Sequence, residues 1–156
     1  MLQAIQRFFQ ARIASIARGE GSEDTERSYR LATAALLVEM SRADHQVKRE
    51  ELLTVTGAIR RAFALSAAET DELVRLAEVE ADAATSLHEF VSLINGHLSP
   101  DQKQHVVELL WQVAFADGEL DKYEEHLVRR VAGLIHVPHR EFLRAKHRVQ
   151  ERLGKA

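Results

Sequence analysis

Two stretches of the chain are apolar on most helical faces. One contains Leu31, Ala32, Ala34, Ala35, Leu36, Leu37, Val38 and Met40; the other contains Val106, Val107, Leu109, Leu110, Trp111, Val113, Ala114 and Phe115. A helix that is apolar all round belongs at the centre of a domain. Elsewhere the apolar residues follow one stripe at helical spacing, and no alternating pattern of useful length predicts a strand. Helix starts are legible. Ser66-Ala67-Ala68-Glu69 and Ser86-Leu87-His88-Glu89 read as capping boxes, with a hydroxyl at the N-cap and a carboxylate three residues on. Ser99-Pro100-Asp101-Gln102 adds a proline at the first helical position, Asp121 precedes Glu124 at the same spacing, and Pro138 opens the last helix. These signals predict helices near 2–18, 23–43, 48–64, 67–81, 87–98, 100–116, 122–136 and 138–153, with Gly19-Glu20-Gly21-Ser22 as a flexible linker.

Composition supports the helical reading. Aromatic residues make up 6% of the 156 residues, and only seven Gly and two Pro are present, so turns are few and elements long. With 46% hydrophobic and 29% charged residues the chain can bury a proper core. The absence of Cys excludes a disulfide scaffold, thiolate zinc sites and cysteine nucleophiles, and fits a reducing compartment. A formal charge of −3 gives no general cationic field for nucleic acid. No apolar run spans a bilayer and no secretory signal opens the chain, which places it in the cytoplasm.

The two apolar helices superimpose on a shift of 73 positions. Leu36 falls on Leu109, Leu37 on Leu110, Met40 on Val113, Ala43 on Ala116 and Asp44 on Asp117; past the loop, Val47 falls on Leu120 and Glu51 on Glu124. The register then slips by one, so that Leu65-Ser66 matches Val137-Pro138 and Glu69 matches Glu141. The expected fold is therefore all-α, a compact bundle of seven to eight helices. An N-terminal amphipathic helix (1–18) and a linker (19–22) would precede a duplicated domain (23–156) with halves near 28–80 and 100–153.

The chemically notable stretch runs from Ala116 to Glu125. Counted from Asp117, carboxylates stand at the first, third, fifth and eighth positions, as Asp117, Glu119, Asp121 and Glu124. Hard cations such as Ca²⁺ and Mg²⁺ take several oxygen ligands at about 2.0–2.6 Å, which such a turn can supply. It is not an EF-hand loop, which needs Gly at its sixth position and a bidentate Glu at its twelfth. The same residues also read as an ordinary helix start: Asp121 caps, Glu124 and Glu125 meet the helix dipole, and Gly118 eases the turn. In the first half Asp44 and Glu51 persist, but His45, Gln46 and Lys48 replace the acidic pattern.

The segment Leu110-Trp111-Gln112-Val113-Ala114-Phe115-Ala116-Asp117-Gly118-Glu119-Leu120-Asp121-Lys122-Tyr123-Glu124-Glu125 resembles the signature of the TerB family of tellurite-resistance proteins, in particular its small stand-alone bacterial branch. Leu36 to Asp44 resembles the first-half motif of the same family, and the resemblance extends from about Leu31 to Leu153. It implies a helical domain with duplicated halves, metal binding through acidic residues, and a role in tellurite and chemical-stress response beside the membrane with partner proteins. It also implies Asp117, Asp121 and Glu124 as leading ligand positions, with Asp44 and Glu51 as first-half counterparts. Glu119 and backbone oxygens would help. The implied cofactor is a divalent cation, Ca²⁺, Mg²⁺ or Mn²⁺.

Other patterns add little chemistry. The eight His (45, 88, 97, 105, 126, 136, 139 and 147) form no zinc motif, and only His126 stands near the acidic turn. No nucleophile elbow, phosphate loop or dinucleotide fingerprint is present, so a non-enzyme is expected. Helix 1 carries Leu2, Ile5, Phe8, Phe9, Ile13 and Ile16 on a stripe with Arg7, Arg12 and Arg18, and no acid before Glu20. That profile suits a peripheral membrane contact at the inner face of the membrane, or a helix laid across the bundle core. Two functions follow: a cation-binding stress-response protein acting through a protein partner, or a metal-independent helical adaptor docking protein or membrane.

Overall fold

The computed structural model describes residues 4–18, 23–43, 49–78, 83–116 and 120–154. Among them lie eight helices: α1 (Ala4–Ala17), α2 (Glu23–Ala43), α3 (Arg49–Phe63), α4 (Ala67–Glu78), α5 (Ala83–His97), α6 (Pro100–Ala114), α7 (Lys122–Leu134) and α8 (His139–Arg152). No strand occurs among the described residues. The linker at 19–22 lies outside them.

The two apolar helices are the centre of the bundle. Every residue from Leu31 to Ser41 on α2 is buried, and so is α6 from Val106 to Ala114 apart from Gln112. Around them each outer helix contributes a stripe at the spacing one face of a helix demands. On α3 the stripe is Val55, Ala58, Ile59 and Phe63; on α5 it is Leu87, Phe90 and Ile94; on α8 it is Phe142, Ala145 and Val149. The helices α3 and α4 lean on α2, and α7 and α8 lean on α6. Trp111, fully buried on α6, ties this half together: its ring packs 5.0 Å from that of Phe142 and its indole N–H donates to the Phe142 carbonyl at 3.3 Å.

The apolar stripe of α1 is turned inward, against α2 and α5. Phe9, Ile13 and Ile16 are buried, and the Phe9 ring stacks on Phe90 with centroids 4.1 Å apart. Burying a side chain of this size stabilises by about 1.5–3 kcal/mol, so α1 is part of the core. These three residues are therefore not open to a lipid surface. No described helix is long and apolar enough to cross a membrane.

Two helix starts are capping boxes. Ser66 Oγ accepts from the Glu69 amide while the Glu69 carboxylate accepts from the Ser66 amide, and Ser99 and Gln102 do the same. The box expected at Ser86 does not form a helix start. Helix α5 begins at Ala83, because Ala83 and Ala84 are strong helix formers and carry the helix back past the serine.

The turns that end α3 and α7 share one geometry. Ala64 and His136 both adopt left-handed backbone, with φ of 55° and 61°. The next amide reaches back to the helix in each: Leu65 N–H to the Arg60 carbonyl at 3.2 Å, and Val137 N–H to the Ala132 carbonyl at 2.9 Å. This is the six-to-one closure that normally calls for glycine. Here Ala and His hold it, with Leu65 and Val137 buried beneath as the apolar anchor.

Candidate functional site

The acidic turn is built between α6 and α7. Helix α6 stops at Phe115, whose amide still donates to the Trp111 carbonyl at 3.0 Å, and the Ala116 amide donates to Val113 at 3.1 Å. The chain then returns, and the Asp121 amide donates to the Ala114 carbonyl at 3.1 Å. That bond closes the turn on itself and holds the start of α7 beside the end of α6. Leu120 and Tyr123 are partly buried against the core and pin the turn from below.

Asp121 is the N-cap of α7. Its backbone is extended, and Oδ1 accepts from the Glu124 amide at 2.9 Å. The cap uses one carboxylate oxygen and leaves the other outside this bond. Glu124, in the first turn, is only 3% exposed. The cause is register: Glu124, Leu127, Val128 and Val131 occupy one face of α7, and that face is buried. A carboxylate so placed is favoured by the positive end of the helix. Glu125 turns aside and meets Lys146 Nζ at 3.8 Å, while that ammonium lies 5.3 Å from the Trp111 ring centre.

Of the six residues expected to hold a cation, Asp121 and Glu124 lie at the described start of α7, joined by the cap bond from the Glu124 amide and not through their carboxylates. Asp117, Glu119 and Asp44 lie outside the described residues, and Glu51 falls in α3 with its side chain outside them. Among the described residues no group of three His, Asp or Glu side chains could hold a metal ion. His126 is exposed on α7. The described residues thus offer two carboxylates and the chain oxygens of a closed turn. A full ligand set would have to draw on Asp117 and Glu119.

A second polar cluster escaped the sequence reading. Glu108 sits in the buried run of α6, its side chain 11% exposed, and accepts from Arg148 at 2.6 Å and Arg152 at 3.0 Å, both on α8. The Glu108 carboxylate holds Arg148 above the ordinary guanidinium value through that hydrogen bond. His105 stands one turn away: Nδ1 is 3.9 Å from Glu108 and Nε2 is 2.9 Å from Glu26 on α2. Tyr29 meets the imidazole edge-on, and its hydroxyl is pushed above the usual phenol value by burial first and by Glu26 second. The ribbon runs from Glu26 on α2 through His105 and Glu108 on α6 to Arg148 and Arg152 on α8. One part of it was visible in the sequence, since Glu108, like Glu39, is an acid set inside an otherwise apolar helical run and buried there; the arginines that meet Glu108 were not.

The sequence profile of the family described as Tellurite resistance protein TerB matches residues 30–147. The match runs from within α2 to within α8 and includes the acidic turn. No curated protein and no solved structure matches the chain.

Proposed function

The chain belongs to the TerB family, and on that premise we propose that it is a non-catalytic stress-response module. In this reading a divalent cation at the turn from Asp117 to Glu124 controls its contact with a protein partner. The observation that carries the reading is the closed α6–α7 turn, where Glu124 is buried in the first turn of α7 and its amide engages one Asp121 oxygen, leaving the other outside the cap. Asp117 and Glu119 would complete the ligands with backbone oxygens; Ca²⁺, Mg²⁺ or Mn²⁺ suits an all-oxygen set. Bound there, a cation would supply charge and rigidity to the turn, not chemistry. Asp44 and Glu51 would be the first-half counterparts, in keeping with duplicated halves. The shared left-handed closure after α3 and α7 supports that duplication.

A metal-independent adaptor is the second reading, and one observation favours it. Asp121 already caps α7 and Glu125 already meets Lys146, so a helix start explains part of the acidic pattern. The two readings separate in a melting experiment on chelator-stripped protein. A ligand that binds only the folded state at a hundred times its dissociation constant stabilises by about 2.7 kcal/mol. In a domain of this size that raises Tm by roughly 5–10 °C. Wild type should show such a rise with one of the three cations, and Asp117→Asn should lose it. A flat Tm in millimolar cation removes the cation and leaves the adaptor.

A further inference from the structure

We propose that the outer face of the α7–α8 pair docks an acidic helical segment of a partner protein. The two helices lie side by side and antiparallel: Lys146 Nζ meets Glu125 at 3.8 Å, and one turn further on the Arg129 guanidinium lies 5.4 Å from the Phe142 ring centre. Their inner stripes, Leu127, Val128 and Val131 on one and Phe142, Ala145 and Val149 on the other, are buried. Helical period then turns Lys122, Arg129 and Arg130 outward on α7, and Arg140, Leu143 and Glu151 outward on α8. All six are exposed, and Glu151 is the one exposed acid on these two helices.

The fold answers some of the cations on these helices and not others. Arg144 meets Glu141, Lys146 meets Glu125, and Arg148 and Arg152 share Glu108. Lys122, Arg129, Arg130 and Arg140 make no ion pair among the described residues. Helix position does not account for them. Lys122 and Arg140 stand in the first turns of α7 and α8, where the positive end of a helix disfavours a cation, and Arg129 and Arg130 lie before the last turn of α7. Local pairing does not account for them either. No acid stands three or four residues from Arg130 or Arg140, and Glu125, so placed for both Lys122 and Arg129, is turned to Lys146. Charge therefore selects an acidic occupant, and shape selects its form. Helices of 13 and 14 residues offer a face about 20 Å long, matched by an equal length of partner helix. Leu143, 38% exposed among the cations, gives a protein side chain an apolar contact but too little area to enter a bilayer. The formal charge of −3 works against a long polyanion such as nucleic acid. A face of this size belongs to the small, transient class of interfaces, so the contact is weak and salt-dependent.

This inference rests on the partner half of the proposed function and needs no cation, so it is tested in EDTA. Full-length protein is titrated into a fluorescein-labelled helical peptide of Glu and Ala with one central Leu, and anisotropy is read. Saturable binding is expected at low salt, weakened as salt is added. Arg130→Glu with Arg140→Glu, one change on each helix, should weaken it at least about tenfold, as charge reversals at a complementary patch do. Arg129→Glu should weaken it too. Arg18→Glu with Arg60→Glu makes the same change of net charge elsewhere on the chain and should leave binding unchanged. So should Asp117→Asn, which separates this outcome from that of the cation. Equal loss in the Arg18 and Arg60 control, equal binding of the peptide with Gln for Glu, or no saturable binding overturns the proposal. So does binding to phosphatidylserine vesicles without binding to the peptide. Circular dichroism melts of each variant exclude unfolding as the cause.

Discussion

Glu108 is the residue whose surroundings give the sharpest quantitative expectation for stability. Its carboxylate is largely withdrawn from water and held by two guanidinium groups whose own side chains are about half exposed, at 48% and 53%. Removing one arginine leaves the other in place, so Arg148→Ala or Arg152→Ala alone should cost about 0.5–1 kcal/mol, the scale of a partly exposed pair. Removing both leaves the carboxylate, among the described residues, with His105 at 3.9 Å as its remaining basic neighbour. Fully buried ions left unpaired cost about 3–5 kcal/mol. Water entering where the arginines stood reduces that, and the double variant should lose about 2–3 kcal/mol. The excess over the sum of the singles, about 1 kcal/mol, is the coupling carried by the shared acid. Urea unfolding of the four proteins, followed by far-UV circular dichroism at neutral pH, measures it. Adding Glu108→Gln to the double variant should recover part of the loss, since no charge is then stranded. Additive losses within about 0.3 kcal/mol, or no recovery with Gln, would refute the clamp.

Three further outcomes follow from other parts of the fold. Ala64→Gly and His136→Gly should each raise stability by about 0.5–1 kcal/mol, because glycine relieves the left-handed strain at both closures; a loss of stability at either would count against it. Glu69 is held below the ordinary carboxylate value by the Ser66 amide first and Arg27 second, so its contribution is present above that value and lost as pH falls through the lowered one. Tm measured down into the acid range should therefore fall less steeply in Glu69→Gln than in wild type, and identical slopes would contradict the assignment. Phe9→Ala should destabilise by about 3–5 kcal/mol, and the intact chain should not co-sediment with anionic liposomes; a mild Phe9 effect with strong sedimentation would mean that α1 leaves the core.

Much of the architecture was legible because it depends on local pattern. The all-apolar runs at Leu31–Met40 and Val106–Phe115 became the buried centre, and Ser66, Ser99, Asp121 and Pro138 stand where helices begin. Ser86 misled because a capping pattern competes with the helix propensity of the residues before it, here Ala83 and Ala84. The burial of Glu124 could have been read, since it continues the Leu127, Val128 and Val131 face; attention to its charge hid its register. The Glu108 clamp could not. Its arginines arrive from 40 and 44 residues away, and only tertiary packing brings α8 across α6.

Titration calorimetry of Ca²⁺, Mg²⁺ and Mn²⁺ into chelator-stripped protein tests the cation reading most directly. One of them should give saturable heat with a stoichiometry near one per chain, abolished by Asp117→Asn with Glu124→Gln in protein that still melts cooperatively. Heat indistinguishable from dilution at millimolar cation, or heat unchanged in the double variant, would contradict it.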